Sequence, residues 1–186
     1  MSPIHLDPHV ALVVIDLQKG IAVPPTVHPL TGILQNAHDL ATAFRDHRLP
    51  VVLVNVAGRP AGRSELGGPA PRPEGWTELV HELDQQPSDL RVTKLSWGAF
   101  TATGLEQLLK DRDVTQVLLA GMATCMGVET TARQAFELGF NVAVAIDAIT
   151  DRDPATHENS VERIFPKLAE TGTTAEVISL LGGEQT

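Results

Sequence analysis

Two side chains that could exchange a proton follow strand-like stretches of this sequence. Asp16 comes directly after the apolar run VALVVI (10–15), and Lys94 ends the short run over 90–93. Burial at the edge of an apolar core raises the pKa of a carboxyl, whereas a nearby ammonium lowers it. A carboxyl under both influences can hold a proton at neutral pH and donate it. Asp16 is therefore a candidate general acid with Lys94 beside it, although a loop-stabilising aspartate and a surface lysine also fit these positions.

The most informative segment is GMATCMGVETTA (121–132), which is rich in small residues. Small residues let a backbone approach a ligand closely, and Gly127 stands where a helix is predicted to begin. The free N–H groups and positive dipole end of a helix start favour an anion or an oxyanion. A tight packing turn would have a similar sequence.

Cys125 lies in the same segment and is the only cysteine. Near a helix start it could be a nucleophile with a lowered pKa, or it could be a small buried apolar residue. The seven histidines are scattered without the spacing of a ligand cluster, so the sequence predicts no metal site. Neither GxxxxGK[ST] nor a helix-opening GxGxxG occurs, so a nucleotide is not implied.

These side chains need a framework, and the hydrophobic pattern predicts one. Continuous apolar runs are typical of parallel strands covered on both faces, and the predicted strands are 10–15, 50–56, 114–120 and 141–146, with 90–93 as a further candidate. Between them, apolar residues recur at helical spacing around 34–44, 105–109, 128–138 and 155–168, where Pro166 predicts a bend or early end. The order predicts a three-layer, doubly wound, Rossmann-like α/β sheet that is mostly parallel, with helices on both faces, forming one domain over 1–186.

Ligands of such sheets bind beyond the carboxyl ends of the strands. That rule adds Asn55, near the end of the second strand, to the candidates. The Gly- and Pro-rich stretch 57–75 follows it and is predicted to be a long surface loop, either a binding element or a mobile loop without a role. Arg59 and Arg63 on this loop could pair with an anionic substrate, or they could be solvated charges.

Composition excludes several classes of function. The 186 residues carry a formal net charge of −9 and no basic block, so nucleic acids and anionic membrane surfaces are not expected as binding partners. No run approaches the length of a membrane-spanning helix, and no basic, then apolar N-terminal signal is present. With a single cysteine nothing suggests secretion, so we expect a cytoplasmic protein that acts on a small molecule.

Three stretches together resemble the isochorismatase-like hydrolase superfamily. They are ALVVIDLQKG with Asp16, VTKLSWGAF with Lys94, and GMATCMGVETTARQAFELGFNVAVAIDAITD, and the similarity spans roughly residues 10 to 181. Most members are cysteine amidohydrolases with an Asp–Lys–Cys triad. The resemblance implies a cis peptide at Met122–Ala123, the absence of a cofactor, and a homo-oligomer.

The chain departs from that pattern at one position. Gly127 stands where the amidohydrolases have their nucleophilic cysteine, and Cys125 lies two residues earlier. True isochorismatases also have glycine there and hydrolyse an enol ether. The resemblance therefore implies Asp16 as general acid, Lys94 as its partner, and Gly127 as space for substrate or water. The candidate substrate contacts are Asn55, Trp97, Met122, Ala123 and Cys125. Phe100 could also line an apolar pocket beside Trp97, or it could pack in the core.

Three hypotheses remain open from the sequence. The first is a cofactor-free hydrolase that cleaves an isochorismate-like enol ether by general-acid catalysis. The second is a nicotinamidase-like amidohydrolase that uses Cys125 from a shifted position. The third is a non-catalytic family member that kept the fold.

Overall fold

One parallel sheet of six strands forms the centre of the molecule. The computed structural model describes residues 4–65 and 71–183. Its strands are β1 (Val10–Ile15), β2 (Val51–Val56), β3 (Leu90–Lys94), β4 (Gln116–Met122), β5 (Asn141–Thr150) and β6 (Glu170–Gly172). They lie in the order β3-β2-β1-β4-β5-β6, and all neighbouring pairs are parallel. The predicted doubly wound sheet is confirmed.

Helices cover both faces of this sheet. They are α1 (Leu30–Asp46), α2 (Leu105–Lys110), α3 (Glu129–Glu137), α4 (Pro154–Asn159) and α5 (Thr174–Leu181). Successive side chains of a strand point to opposite faces, so Leu12 and Val14 of β1 pack in a core with α1 and α5. Val13 and Ile15 pack in a second core with α2 and α3. Two separate cores explain why β1 is apolar at every position.

The boundaries of several elements differ from those predicted. β4 begins at Gln116 rather than at 114, because the Val114 N–H closes the turn after α2 by donating to Leu109 O. The fourth helix ends at Asn159 and continues as irregular helical turns over 160–167, in agreement with the bend expected from Pro166. β6 and α5 were not predicted. β6 has only three residues, but Thr173 and Glu176 form a capping box that marks the start of α5.

The strand order reverses between β1 and β4, which places the expected ligand crevice at their carboxyl ends. Ile15 of β1 lies opposite Gly121 of β4 at this point. Gly121 has a φ of 112°, and a Cβ there would lie 2.0 Å from the Ile15 carbonyl oxygen. Only glycine therefore allows the two strands to approach so closely at this edge.

Candidate active site

Asp16 is held where β1 turns out of the sheet. Its N–H donates to Val54 O at 2.9 Å, and its carbonyl accepts from Gln18 N–H at 2.8 Å. The backbone has a φ of 51°, a left-handed conformation that aspartate tolerates better than most residues. The side chain is buried at the end of the strand, as the apolar run before it predicts.

Lys94, at the end of β3, reaches Asp16 across the intervening strand β2. Its Nζ lies 2.7 Å from Asp16 Oδ2, and the lysine is 1% exposed. The same ammonium donates to the carbonyl oxygens of Ser96 at 3.2 Å and Trp97 at 2.8 Å. Its three donors are thus satisfied, which fixes the charge beside a single carboxylate oxygen.

The second oxygen of Asp16 is in a different situation. Oδ1 is buried and has no hydrogen-bond partner among the described residues. Burial raises the pKa of Asp16 to about 6, although the charge and hydrogen bond of Lys94 act in the opposite direction. A buried oxygen without a partner is costly unless it is protonated or meets a ligand. Oδ1 is therefore the atom best able to carry a transferable proton.

The turn over 123–127 faces this carboxyl from the end of β4. The peptide Met122–Ala123 is cis, as the resemblance implied, and a π-helical turn over Thr124–Val128 leads into α3. A Cβ built on Gly127 would lie 2.9 Å from Ile15 Cγ2 and 3.2 Å from Asp16 Oδ2. A side chain at 127 would consequently point at the Asp16 carboxyl and crowd it, whereas glycine leaves that space free.

Cys125 is oriented by different neighbours. Its N–H donates to Asp151 Oδ2 at 2.7 Å, and the residue is half-buried. Burial raises the pKa of its thiol to about 11, with further contributions from the Asp151 and Glu129 carboxylates, while a hydrogen bond with Thr156 opposes them. Because the thiolate is the nucleophilic form, Cys125 is a poor nucleophile in this environment.

The remaining candidates are distributed around this centre. Asn55 uses its amide within the framework, because Nδ2 donates to Thr77 O at 2.9 Å and Oδ1 accepts from Thr93 Oγ1 at 2.7 Å. The Trp97 side chain is 48% exposed while its carbonyl holds Lys94. Phe100 packs against Phe140 with ring centroids 5.8 Å apart, in agreement with a core role.

The long loop after β2 is irregular in its described parts, 57–65 and 71–75; residues 66–70 lie outside the described residues. Arg59 is half-buried, and Arg63 is exposed. The structure brings neither guanidinium into a described contact with Asp16 or Lys94.

Gln18 is a structural residue of the site that sequence reasoning missed. It is fully buried, and its Nε2 donates to the carbonyl oxygens of Val56 at 3.1 Å and Trp76 at 3.0 Å. Its Oε1 accepts from Val56 N–H at 2.7 Å. Gln18 thereby ties the Asp16 turn to the end of β2 and to the far end of the long loop. The available signal was a glutamine two residues after a strand-ending aspartate.

Two properties of the described residues bear on other functions. In residues 4–65 and 71–183, no group of three or more His, Cys, Asp or Glu side chains could hold a metal ion. Over the same residues, no helix is both long and apolar enough to cross a membrane.

Comparison with known proteins identifies the family. The isochorismatase domain model matches residues 10–176. The chain belongs to the isochorismatase family. The isochorismatase family protein YecD of Escherichia coli O157:H7 is 38% identical over 180 residues, covering 92% of this chain and 95% of YecD. An isochorismatase family structure from Burkholderia thailandensis has a TM-score of 0.92 at 38% identity, covering 97% of this chain and 100% of that one.

A more distant relative is an amidohydrolase. Ureidoacrylate amidohydrolase RutB of Pseudomonas syringae pv. syringae is 28% identical over 186 residues, covering 82% of this chain and 76% of RutB. The chain is thus an isochorismatase-family hydrolase with an α/β fold.

Proposed function

We propose that this hydrolase cleaves a small enol ether resembling isochorismate, with Asp16 as the general acid and no cofactor. The observation that carries the proposal is the buried Asp16 carboxyl. One of its oxygens is held by Lys94, while the other, Oδ1, has no partner in the described structure. Burial raises the pKa of the Asp16 carboxyl to about 6. A group with this pKa is partly protonated near neutral pH and can act as a proton donor.

The chemistry needs one acid and one water. Asp16 Oδ1–H gives its proton to the terminal carbon of the enol ether, which leaves an oxocarbenium ion. Water adds to that ion and releases a proton, which restores the acid, and the resulting hemiketal collapses to pyruvate and an alcohol. Lys94 stabilises the Asp16 carboxylate present between these steps, because its ammonium lies 2.7 Å from Oδ2.

Gly127 supports this choice of reaction. Glycine cannot form an acyl-enzyme, and the space next to Asp16 that a side chain would fill stays open for substrate or water. We assign Ala123 and Cys125 to the wall of the substrate site and Trp97 to its rim, where an exposed indole can cover an apolar part of the substrate. Met122 is fully buried in the core with Leu12 and Val14, so we assign only its backbone to the site.

Asn55 has a weaker claim to substrate contact. Its amide already contacts Thr77 and Thr93, so we propose that it reaches substrate only through a water.

The proposal is tested by incubating the purified enzyme with isochorismate and measuring pyruvate. We expect pyruvate release that Asp16→Asn abolishes and that the exposed substitution Asp46→Asn leaves unchanged. If no pyruvate forms, a broader screen of enol ethers and amides follows with the same two variants. The proposal is wrong if the activity so found persists in Asp16→Asn.

Amide hydrolysis through Cys125 is the second candidate, and the similarity to RutB favours it. Two observations argue against it. Burial raises the pKa of Cys125 to about 11. The space that faces Asp16 lies at Gly127, two residues after Cys125. This candidate requires that iodoacetamide label Cys125, that substrate block the labelling, and that Cys125→Ser lose amidase activity. Full activity in Cys125→Ser would exclude it.

Two other expectations are independent of the reaction. We propose that the protein forms a homo-oligomer in the cytoplasm. Light scattering on the purified chain tests the first part, and a monomer at micromolar concentration would contradict it. Fractionation of the native cells tests the second.

A further inference from the structure

Two histidines meet behind the 123–127 turn, outside the Asp16–Lys94–Gly127 site. His157, on α4, is 6% exposed, and His28, just before α1, is exposed. Their Nε2 atoms are 3.2 Å apart. The other ring nitrogen of His157, Nδ1, lies 2.9 Å from Oγ1 of the fully buried Thr124. The His157 ring is thus fixed from inside the protein through Nδ1, while its Nε2 faces the His28 ring near the surface.

The two rings do not meet end to end. The ring centroids are 4.9 Å apart and the ring planes cross at 79°. A straight N–H···N bond of this length would place the rings end to end, with centroids about 5.5 Å apart. The shorter centroid separation means that the rings are tilted relative to the line joining the two Nε2 atoms.

The observed separation matches that of two ligands of one metal ion. Imidazole nitrogens bound to Zn²⁺ at about 2.0–2.1 Å with a near-tetrahedral angle lie about 3.3 Å from each other, and tilted rings then have centroids about 5 Å apart. Both values agree with the histidine pair, whose distances are 3.2 and 4.9 Å.

The environment of His157 also suits metal ligation. The Thr124 hydroxyl resembles the outer hydrogen bond that orients a ligating histidine.

The histidine pair borders a cleft that can accommodate further ligands of a metal ion. The cleft has a volume of about 450 Å³ and is lined by apolar side chains, including Ile33, Ile146 and Val161, and by Asp147. No lysine or arginine is among its lining residues. A cation there would meet no fixed positive charge from these lining residues, and two of its four coordination positions would remain open for water or for a small ligand.

We propose that His28 and His157 form a two-histidine binding site for a borderline divalent cation such as Zn²⁺, open toward this cleft. Imidazole nitrogen favours the order Co²⁺ < Ni²⁺ < Cu²⁺ > Zn²⁺ and discriminates against Mg²⁺ and Ca²⁺, which prefer oxygen. The Asp16 reaction does not use this site.

The test is isothermal titration of tag-free, full-length protein with ZnCl₂, followed by Co²⁺ titration monitored by visible absorption. We expect one Zn²⁺ per chain and a tetrahedral Co²⁺ spectrum. His28→Ala, an exposed substitution that keeps the fold, should lower the affinity at least tenfold. His47→Ala is the matched control, because His47 is exposed and its ring nitrogen hydrogen-bonds Ala43 O of α1, and this variant should bind Zn²⁺ as the wild type does.

A third variant tests the inner hydrogen bond. Thr124→Val removes the oxygen that orients His157 and should weaken Zn²⁺ binding by roughly tenfold, with circular dichroism checking the fold. The proposal is overturned if the wild type binds Zn²⁺ no more tightly than His28→Ala does, or if His47→Ala has as large an effect. Equal affinity for Mg²⁺ and Zn²⁺ would also overturn it.

Discussion

Two buried ion pairs lie at opposite edges of the sheet, and they are built differently. Asp16 and Lys94 meet at the carboxyl ends of β1 and β3. Asp89 lies just before β3, at the amino ends of the strands, and pairs with Arg45 of α1. The aspartate side chains are 7% and 1% exposed, respectively, so burial alone does not distinguish them.

The difference lies in how the carboxylate oxygens are satisfied. Arg45 donates to both oxygens of Asp89, at 3.0 and 2.8 Å, and Gln86 N–H donates to Oδ2 at 2.8 Å. Lys94 donates to one oxygen of Asp16 and leaves Oδ1 without a partner in the described structure. A planar guanidinium can satisfy a whole carboxylate, whereas an ammonium acts as a point charge. The Arg45–Asp89 pair therefore suits stability, whereas the Lys94–Asp16 pair keeps one carboxylate oxygen available for chemistry.

The largest expected effect is on catalysis, at the incompletely paired carboxyl. Asp16→Asn removes the proton donor and should lower kcat/KM by about 100- to 10,000-fold. The variant should remain folded by circular dichroism. Steady-state kinetics on isochorismate, or on the substrate found by screening, measures the change. A loss smaller than tenfold would mean that the two ion pairs do not differ in the way described.

The opposite result is expected at the fully paired carboxyl. Asp89→Asn leaves Arg45 without its bidentate partner and should lower the free energy of unfolding by about 3 kcal/mol. Activity per folded molecule should remain that of the wild type. Urea denaturation followed by kinetics below the transition measures both quantities. An unchanged unfolding midpoint, or a selective loss of kcat, would contradict the structural role of this pair.

Removing the cation of the catalytic pair should shift a pH profile. The acid form of Asp16 is the active one, so wild-type kcat/KM should fall as pH rises above about 6. Lys94 lowers this pKa, so Lys94→Met should raise it and extend activity to higher pH, with a lower maximum rate. A falling limb that stays in place or moves to lower pH would show that Lys94 does not act on this proton.

The smallest effect is expected at the thiol. Cys125→Ser should keep kcat/KM within about twofold of the wild type, because the thiol is not the attacking atom and its N–H contact with Asp151 is retained. Inhibition by iodoacetamide should be correspondingly weak. A loss beyond 100-fold in this variant, with the fold intact, would transfer the chemistry from Asp16 to sulfur.

The sequence predicts the framework of this molecule well because its strands are strongly patterned. The apolar run over 10–15 indicated β1, and the strand-end rule then brought Asp16 and Lys94 to one edge, where they are 2.7 Å apart. β6 escaped prediction because three residues carry no periodicity. The contact between His28 and His157 also escaped prediction, because the two residues are 129 positions apart in the sequence and only the fold brings them together.

Asn55 shows a different limit of sequence reasoning. The residue type and its position near the end of a strand predict a substrate contact, but whether an amide is available depends on neighbours that the sequence does not reveal. Here Thr77 and Thr93 occupy it. The unpaired Oδ1 of Asp16 is a property of the same kind, since it depends on which donors the folded chain leaves out.

The most direct measurement is the titration of Asp16 itself. Carboxyl carbon shifts of ¹³C-labelled aspartate, assigned by the signal missing in Asp16→Asn, give its pKa in the intact enzyme. A midpoint near 6 is predicted, because burial outweighs the charge of Lys94. A midpoint of about 4 or lower, typical of an ordinary solvated or fully paired aspartate, would contradict the role of Asp16 as the proton donor.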